Sequence, residues 1–185
     1  MSNAVAKLGL SKGSVGDGWQ EVRSLKVGLF AALATKLCGD ANLLSPQEIA
    51  RAISGLANSQ AVPATHPAFG ALSEAALKRS DDFQGSSAVQ LVNGLAKLRL
   101  GSGPEGLLSH FAYVLQSWLS ELYPKELAIV ANAYSRSGVP RQACEDLFGP
   151  LATLALESLE ELRSQDLAHL SNAFAKLDVP GNEKS

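Results

Sequence analysis

Residues 170–177, Leu-Ser-Asn-Ala-Phe-Ala-Lys-Leu, form the stretch that decides the fold, because copies of it occur elsewhere in the chain. Residues 92–98 read Val-Asn-Gly-Leu-Ala-Lys-Leu, and residues 130–136 read Val-Ala-Asn-Ala-Tyr-Ser-Arg. Weaker copies occupy residues 53–58 and residues 2–8. Self-similarity at a fixed period indicates a repeat protein, in which each unit packs on its neighbours in the chain.

The polar residue at the centre of the motif is its anchor, and the five anchors set the period. They are Asn3, Ser54, Asn93, Asn132 and Asn172, whose numbers differ successively by 51, 39, 39 and 40. A Gly- and Ser-rich stretch explains the longer first interval and predicts an inserted loop. We therefore divide the chain into a half-repeat at 1–10, the loop at 11–20, repeats at 21–63, 64–102, 103–140 and 141–180, and a tail at 181–185.

Each repeat is predicted to contain two helices. An apolar i, i+3 pair lies at a constant offset before each of the last four anchors, as Phe30 and Leu33 lie before Ser54, and this spacing indicates a first helix. The motif itself lies on the second helix. The expected helices are 21–38 and 46–60, 67–79 and 86–99, 104–121 and 124–137, and 141–161 and 164–178. The predicted fold class is all-α, an α-solenoid of about four and a half repeats, with nine helices in all.

The predicted ends of the second helices carry capping and proline signals. Residues 45–48, Ser-Pro-Gln-Glu, supply an N-cap hydroxyl, a proline in the first turn and the Glu of a capping box. Pro124 takes the position of Pro46 in its own repeat. Prolines that cannot continue a helix follow the anchors by eight or nine positions, at Pro63, Pro140 and Pro180.

Composition limits the classes of function. Hydrophobic residues make up 46% of the chain and aromatic residues only 6%, as expected for closely packed helices rich in Ala and Leu. The net charge is −2, from +3 in residues 1–100 and −5 in residues 101–185, so contact with a polyanion should favour the first half. No apolar run reaches the length of a membrane span. Cys38 and Cys144 have no partner at metal-ligand spacing.

The motif wording, Asn-Ala-hydrophobic-Ala-Lys-Leu after a Phe-x-x-Leu pair, resembles that of octotricopeptide and heptatricopeptide repeats. These repeats share a pattern with those of FAST-kinase-type proteins. The resemblance covers residues 2–180. It implies a non-catalytic RNA-binding protein of organelle RNA metabolism or a component of an organelle ribosome. It also implies a location in the mitochondrion or plastid, while residues at the N-terminus lack the pattern of a secretory or transit peptide.

The candidate RNA-binding residues form two columns along the second helices. The anchor and the residue four positions later share one face of a helix, and stacking would align equivalent positions. An Asn amide can read a base edge while a nearby cation neutralises a phosphate. The candidates are Asn3, Lys7, Asn58, Asn93, Lys97, Asn132, Arg136, Asn172 and Lys176.

Structural roles for the same residues stay open. Asn within a helix can bond to the backbone groups of a neighbouring helix, and a recurring Lys can solvate the outer edge of each repeat. Phe30, Phe69 and Phe148 are expected in the core because of their apolar i, i+3 partners. Trp19 and Trp118 have no counterparts in the other repeats, so either could anchor an interface.

No enzyme, cofactor or metal site is expected. His66, His110 and His169 occupy unrelated repeat positions, with no carboxylate or Cys at ligand or triad spacing. The expected partners are single-stranded or ribosomal RNA and protein subunits that dock at the open solenoid ends, with no membrane and no small-molecule substrate. The alternative function is a scaffold subunit of a large organelle complex that binds extended peptide or partner subunits without RNA.

Overall fold

The computed structural model describes residues 15–98 and 106–177. Every regular element in these two ranges is helical, which confirms the all-α prediction for them. The initial half-repeat at 1–10 and the tail at 181–185 lie outside the described residues. The α-helices are α1 Val15–Asp40, α2 Pro46–Ser59, α3 Pro67–Lys78, α4 Gly85–Lys97, α5 Leu107–Gln116, α6 Pro124–Ser137, α7 Arg141–Glu157 and α8 Ser164–Leu177.

The even-numbered helices begin and end within two positions of their predicted bounds. The predicted capping box is present at the start of α2. The Ser45 hydroxyl oxygen accepts a hydrogen bond from the Glu48 backbone N–H, and the Glu48 carboxylate accepts one from the Ser45 backbone N–H. α2 ends at Ser59, before Pro63, and α6 ends at Ser137, before Pro140. The next residues, Gln60 and Gly138, have a left-handed backbone conformation. A left-handed residue terminates the helical hydrogen bonds, so Pro63 and Pro140 follow helices that have already ended.

The predicted loop at 11–20 is wrong for its second half, because residues 15–20 are the first turns of α1. Once a helix is nucleated, each added residue contributes one backbone hydrogen bond, and an exposed glycine costs only about 1 kcal/mol relative to Ala. The glycines of this stretch therefore do not prevent the helix from extending. Residues 11–14 lie outside the described residues.

α5 and α7 end four or five residues earlier than predicted, at Gln116 and Glu157, whereas α1 and α3 end within two residues of their predicted ends. A single turn of 3₁₀ helix follows each odd-numbered helix. These turns are Ala41–Leu43, Ser80–Asp82, Leu119–Glu121 and Leu159–Glu161, one after each odd-numbered helix. The residue after each turn is extended, at Leu44, Phe83, Leu122 and Leu162. Three of these side chains are buried, so the tight turn reverses the chain and inserts an apolar side chain into the core.

The even-numbered helices contact one another in succession, and the odd-numbered helices contact one another in two pairs. α2 packs on α4, α4 on α6 and α6 on α8, while α1 packs on α3 and α5 on α7. Each of α2, α4 and α6 also contacts the odd-numbered helix that follows it. The core lies between the even-numbered and the odd-numbered helices. Its largest buried side chains are all apolar and include Phe69, Phe83, Phe111, Ile49, Ile53 and Leu72.

Candidate nucleic-acid interface

The structure places seven of the nine candidate residues on the even-numbered helices, which pack on one another in succession. Asn58 lies on α2, and Asn3 and Lys7 lie outside the described residues. The other candidates form three Asn and cation pairs, one pair on each of α4, α6 and α8: Asn93 and Lys97, Asn132 and Arg136, and Asn172 and Lys176.

The three cations lie in the last turns of their helices. Lys97, Arg136 and Lys176 are exposed. Axes of packed helices are about 8–10 Å apart, so the cations follow one another along the surface at roughly that spacing. Cations near helix C-termini are also favourable toward the helix dipole. The same placement therefore stabilises each helix and concentrates positive charge along one edge.

Hydrogen bonds between adjacent helices join the cation column to the Asn residues. The Lys97 Nζ donates to Asn58 Oδ1 at 2.7 Å, from α4 to α2. The Arg136 Nη2 donates to Asn93 Oδ1 at 3.4 Å, from α6 to α4. Both bonds link side chains, whereas the structural alternative expected Asn to bond to the backbone of a neighbouring helix. The amide oxygens of Asn58 and Asn93 are therefore oriented by cations.

Two further hydrogen bonds orient these side chains along their own helices. The Arg136 Nε donates to the Asn132 backbone carbonyl at 3.0 Å. The Asn58 Nδ2 donates to Ser54 Oγ at 3.4 Å. Arg136 is exposed, and a guanidinium that donates through Nε and Nη2 keeps further N–H groups that can bind a phosphate.

Gly94 sets how closely α4 approaches α2, and sequence reasoning did not single it out. A Cβ atom at Gly94 would lie 3.1 Å from the Ser54 Cα and 3.1 Å from the Ile53 Cγ2. The equivalent residues of the next two repeats, Ala133 and Ala173, are buried and small. A small residue at every copy of this position was visible in the sequence, and its consequence is a close helix contact next to the Asn column.

The carboxylates of the even-numbered helices lie at the opposite end from the cations. Glu48, Glu126 and Asp166 each accept a hydrogen bond from the backbone N–H of the residue before their helix, at 2.8, 3.0 and 3.2 Å. In α6 the axial distance from Glu126 to Arg136 is about 15 Å at the usual rise of a helix. That exceeds the screening length of about 8 Å at physiological ionic strength. These carboxylates therefore do not neutralise the cation column.

Glu48 is the clearest case of a carboxylate used for capping. The backbone and side-chain hydrogen bonds from Ser45 lower the pKa of Glu48 below its ordinary value of 4.5, and nearby Arg51 and Arg79 act in the same direction. Hydrogen bonds to a carboxylate favour its charged form, which also complements the positive end of the helix dipole. The negative charge of Glu48 therefore stabilises the start of α2.

Other acidic residues near the even-numbered helices lie in the 3₁₀ turns. Asp81, Asp82, Glu121, Glu160 and Glu161 all lie in these turns, and each turn comes directly before an even-numbered helix. Glu160 and Glu161 therefore lie near the start of α8, whereas Lys176 lies in its last turn. The acidic cluster of the last repeat is separated from the basic edge by the length of α8, about 20 Å.

The ion pairs among the described residues do not involve the cation column. Lys36 pairs with Asp40 at 2.8 Å within α1, and Lys78 pairs with Glu74 at 2.8 Å within α3. The third pair joins Arg79 to Asp82. All three lie on the odd-numbered helices or the turn after α3. In the described part of the chain, the exposed positive charge that lacks a carboxylate partner therefore includes Lys97, Arg136 and Lys176.

Three of the phenylalanines, Trp118 and His66 take structural positions. Phe69 and Phe148 are buried, as predicted, and Phe30 is partly buried against the core. His66 caps α3, with its Nδ1 accepting from the Ala68 backbone N–H at 3.1 Å. Trp118 is half-buried, with its Cβ 3.2 Å from the Cβ position of Gly85. None of these residues lies in the cation column.

Within 15–98 and 106–177 no three His, Cys, Asp or Glu side chains are grouped as they would be around a metal ion. None of the helices in those ranges combines the length and hydropathy needed to cross a membrane. Comparison with known proteins finds no match to this chain among family models, curated proteins or solved structures.

Proposed function

We propose that this chain is an α-solenoid of two-helix repeats, with a period of about 39 residues, that binds single-stranded RNA without catalysing a reaction. The even-numbered helices form its RNA-binding layer. On this proposal the protein acts in organelle RNA metabolism or as a component of an organelle ribosome, as the resemblance to octotricopeptide-type repeats suggests. The RNA backbone lies along the edge formed by Lys97, Arg136 and Lys176.

The observation that carries the proposal is the row of three exposed cations on successive packed helices. Acidic groups of these helices are engaged in capping at the other end, so the row keeps a net positive charge within a protein of charge −2. Phosphate binding depends on local cations and the counterions they displace, and a local row of cations can therefore bind RNA in an acidic protein.

The succession of packed even-numbered helices supports the solenoid part of the proposal. A 3₁₀ turn follows every odd-numbered helix, and each even-numbered helix packs on the next. Cross-helix hydrogen bonds join Lys97 to Asn58 and Arg136 to Asn93, which lie in successive repeats. One repeat therefore contributes the cation and the preceding repeat contributes the amide.

A binding experiment with a matched charge control tests the RNA proposal. The probe is a fluorescein-labelled single-stranded RNA of random sequence, measured by anisotropy. The test variant is Lys97→Ala with Arg136→Ala. The control is Lys36→Ala with Lys78→Ala, which removes the same charge from ion-paired residues of α1 and α3. The proposal expects weaker binding in the test variant only, and equal affinity of both variants would contradict it.

A protein scaffold without RNA is the second candidate. The observation that favours it is the exposure of large apolar side chains near both ends of the described chain, including Leu29, Leu33, Leu159 and Leu167. A scaffold would bind partner subunits or an extended peptide through these ends and the Asn column. Absence of RNA binding by the wild-type protein at low salt would favour the scaffold over the RNA-binding function.

A further inference from the structure

The first helix carries an exposed apolar stripe. Trp19, Val22, Leu25, Leu29 and Leu33 are spaced three or four positions apart and therefore share one face of α1. Their exposed fractions lie between 43% and 68%. A contiguous stripe of five exposed, large apolar side chains on a helix indicates an interaction surface.

The last two helices carry an exposed apolar groove. It has a volume of about 300 Å³ and lies between α7 and α8. Leu156, Leu159, Leu167 and Phe174 line its apolar wall, and Ser171 lies beside them. Leu156 is 71% exposed and Leu159 is 47% exposed. The groove is thus open to solvent and lined by large apolar side chains of the kind that normally lie in a protein core.

The repeat register identifies the groove as a repeat-to-repeat contact surface. Leu167 is 40% exposed, whereas the residues at its position in the three earlier repeats, Ile49, Ala88 and Leu127, are at most 3% exposed. In those repeats the following even-numbered helix packs alongside. The groove is therefore the surface that a following two-helix repeat would cover.

The same comparison identifies the stripe on α1 as the opposite contact surface. Leu29 is 58% exposed, and its counterparts Ala68, Leu107 and Leu147 are at most 2% exposed. Leu33 is 43% exposed, and its counterparts are fully buried at Leu72, Phe111 and Leu151. α3 packs on α1, α5 packs on α4 and on the turn after α3, and α7 packs on α5, so each later odd-numbered helix has a neighbour from the preceding part of the chain. The stripe is therefore the surface that a preceding repeat would cover.

We propose that two copies of this chain associate head-to-tail, with the α1–α2 face of one copy covering the α7–α8 groove of the other. Inside the chain, the equivalent surfaces of successive repeats pack against each other. The stripe and the groove therefore have the shapes and side chains of two surfaces that normally fit together. The inference uses the proposed repeat register and is independent of RNA binding.

Gly55 has the geometry that this contact requires. It holds the same position in its repeat as Gly94, whose Cβ position lies 3.1 Å from Ser54 on the preceding helix. At Gly55 no described atom lies within 4 Å of the corresponding position. In the head-to-tail contact the Gly55 backbone of one copy packs beside Asn172 of the other, which holds the position of Ser54 in the last repeat. Asn3 of the predicted half-repeat at 1–10 holds the same register position and lies outside the described residues.

Charge favours the same orientation. Residues 1–100 carry a net charge of +3 and residues 101–185 carry −5, counted as 10 basic against 7 acidic and 6 basic against 11 acidic. Arg23 and Lys26 are exposed on α1, and Glu157 and Glu160 are exposed near the groove. Head-to-tail contact brings opposite charges together, whereas contact between two identical ends brings like charges together.

The contact is heterologous, because each copy uses a different surface toward each neighbour. Such a contact leaves one stripe and one groove free at the ends of every assembly, so association continues beyond the dimer as concentration rises. A symmetric dimer would instead stop at two copies.

Sedimentation velocity on the full chain at about 1–300 µM, the range in which weak protein contacts are populated, tests the proposal. The wild-type sedimentation coefficient should rise with concentration. Leu29→Lys blocks the stripe and Leu167→Lys blocks the groove, and each change should weaken self-association by at least about tenfold. Leu43→Lys is the control and should associate like the wild type. Leu43 is 81% exposed, and the residues at its position in the later repeats are acidic and exposed, so this position lies outside the repeat-to-repeat contact.

Mixing the two blocked variants is the decisive step. Leu29→Lys retains a free groove and Leu167→Lys retains a free stripe, so an equal mixture should form a heterodimer and stop there. A wild-type protein that stays at the monomer mass throughout would overturn the proposal, as would a mixture that does not associate. Circular dichroism establishes that the variants are folded. Both variants keep Lys97, Arg136 and Lys176, so failure of association leaves the RNA experiment unaffected.

Discussion

The ammonium group of Lys97 on α4 donates a 2.7 Å hydrogen bond to the side-chain oxygen of Asn58 on α2, the preceding even-numbered helix. Both residues are exposed. Exposed polar contacts of this kind contribute about 0–1 kcal/mol to folding. The bond therefore positions the cation without being needed for stability, and Lys97 can be replaced to test binding in a folded protein.

Salt should weaken RNA binding in proportion to the number of phosphates that are neutralised. Three contacts by Lys97, Arg136 and Lys176 predict a slope of about −2 for log K against log salt concentration on single-stranded RNA. Replacing both Lys97 and Arg136 by Ala should reduce this slope to about −0.7, since one contact remains. Anisotropy titrations at a series of salt concentrations measure both slopes. An unchanged slope in the double variant would place the phosphate contacts elsewhere.

Replacing Gly94 by Leu should destabilise the fold by about 1–3 kcal/mol, because the new side chain must displace the backbone of α2 near Ser54. Gly55→Leu is the matched control at the same position of the preceding repeat. There no described atom lies within 4 Å, and Leu is the better helix former by about 0.8 kcal/mol. Urea unfolding at low protein concentration compares the two. Equal destabilisation by both changes would contradict the close contact of α4 with α2.

Glu48 should make folding stability depend on pH in the acidic range. Its pKa in the folded protein is lowered from the ordinary value of 4.5 by the hydrogen bonds from Ser45, so its stabilising contribution is present above pH 4.5 and is lost as pH falls through the folded pKa. Glu48→Gln should flatten the fall in unfolding free energy below pH 4.5. The comparison variant is Glu160→Gln, in an exposed turn, measured by urea unfolding between about pH 5 and 3. If Glu48→Gln leaves the profile as steep as before, the capping charge does not contribute.

Tyr134→Phe should destabilise the protein by about 1–2 kcal/mol, because it removes a buried hydroxyl group and leaves an acceptor without its donor. Tyr134 is 4% exposed, and its hydroxyl donates to the Leu108 backbone carbonyl at 2.9 Å, from α6 to α5. Tyr113→Phe is the control, since Tyr113 is 71% exposed on α5. Thermal unfolding followed by circular dichroism measures both. A loss of equal size at Tyr113 would show that the α5 to α6 bond is not responsible.

The helix bounds could be predicted closely where the signal is local. Ser45 and Glu48 mark the start of α2 through contacts within a single turn. The ends of α5 and α7 could not be predicted. After α5, the 3₁₀ turn at Leu119–Glu121 and the extended Leu122 depend on the depth of the core that receives the Leu122 side chain. The first turns of α1 were missed because their glycines resemble those of a loop.

The candidate cation column could be predicted from the sequence, but its bonding could not. An Asn and a cation four positions apart share a helix face wherever a helix forms. That Arg136 bonds to Asn93, whereas Lys97 bonds to Asn58, depends on the rotation and separation of helices that are distant in the chain. Such contacts follow from side-chain packing between helices, which no local pattern specifies.

The sequence by itself determined the spacing of the motif copies, the succession of helices and the residues that share each helix face, because periodicity and capping act over short stretches of chain. Only the tertiary structure decided that the cations gather at one edge while the capping carboxylates lie at the other, and that Gly94 rests against Ser54. It also decided which copies of a position are buried. Ile49 and Leu167 each lie five positions before a motif anchor, Ser54 or Asn172. Only Leu167 is exposed, because burial depends on the neighbouring helix that packs over the residue.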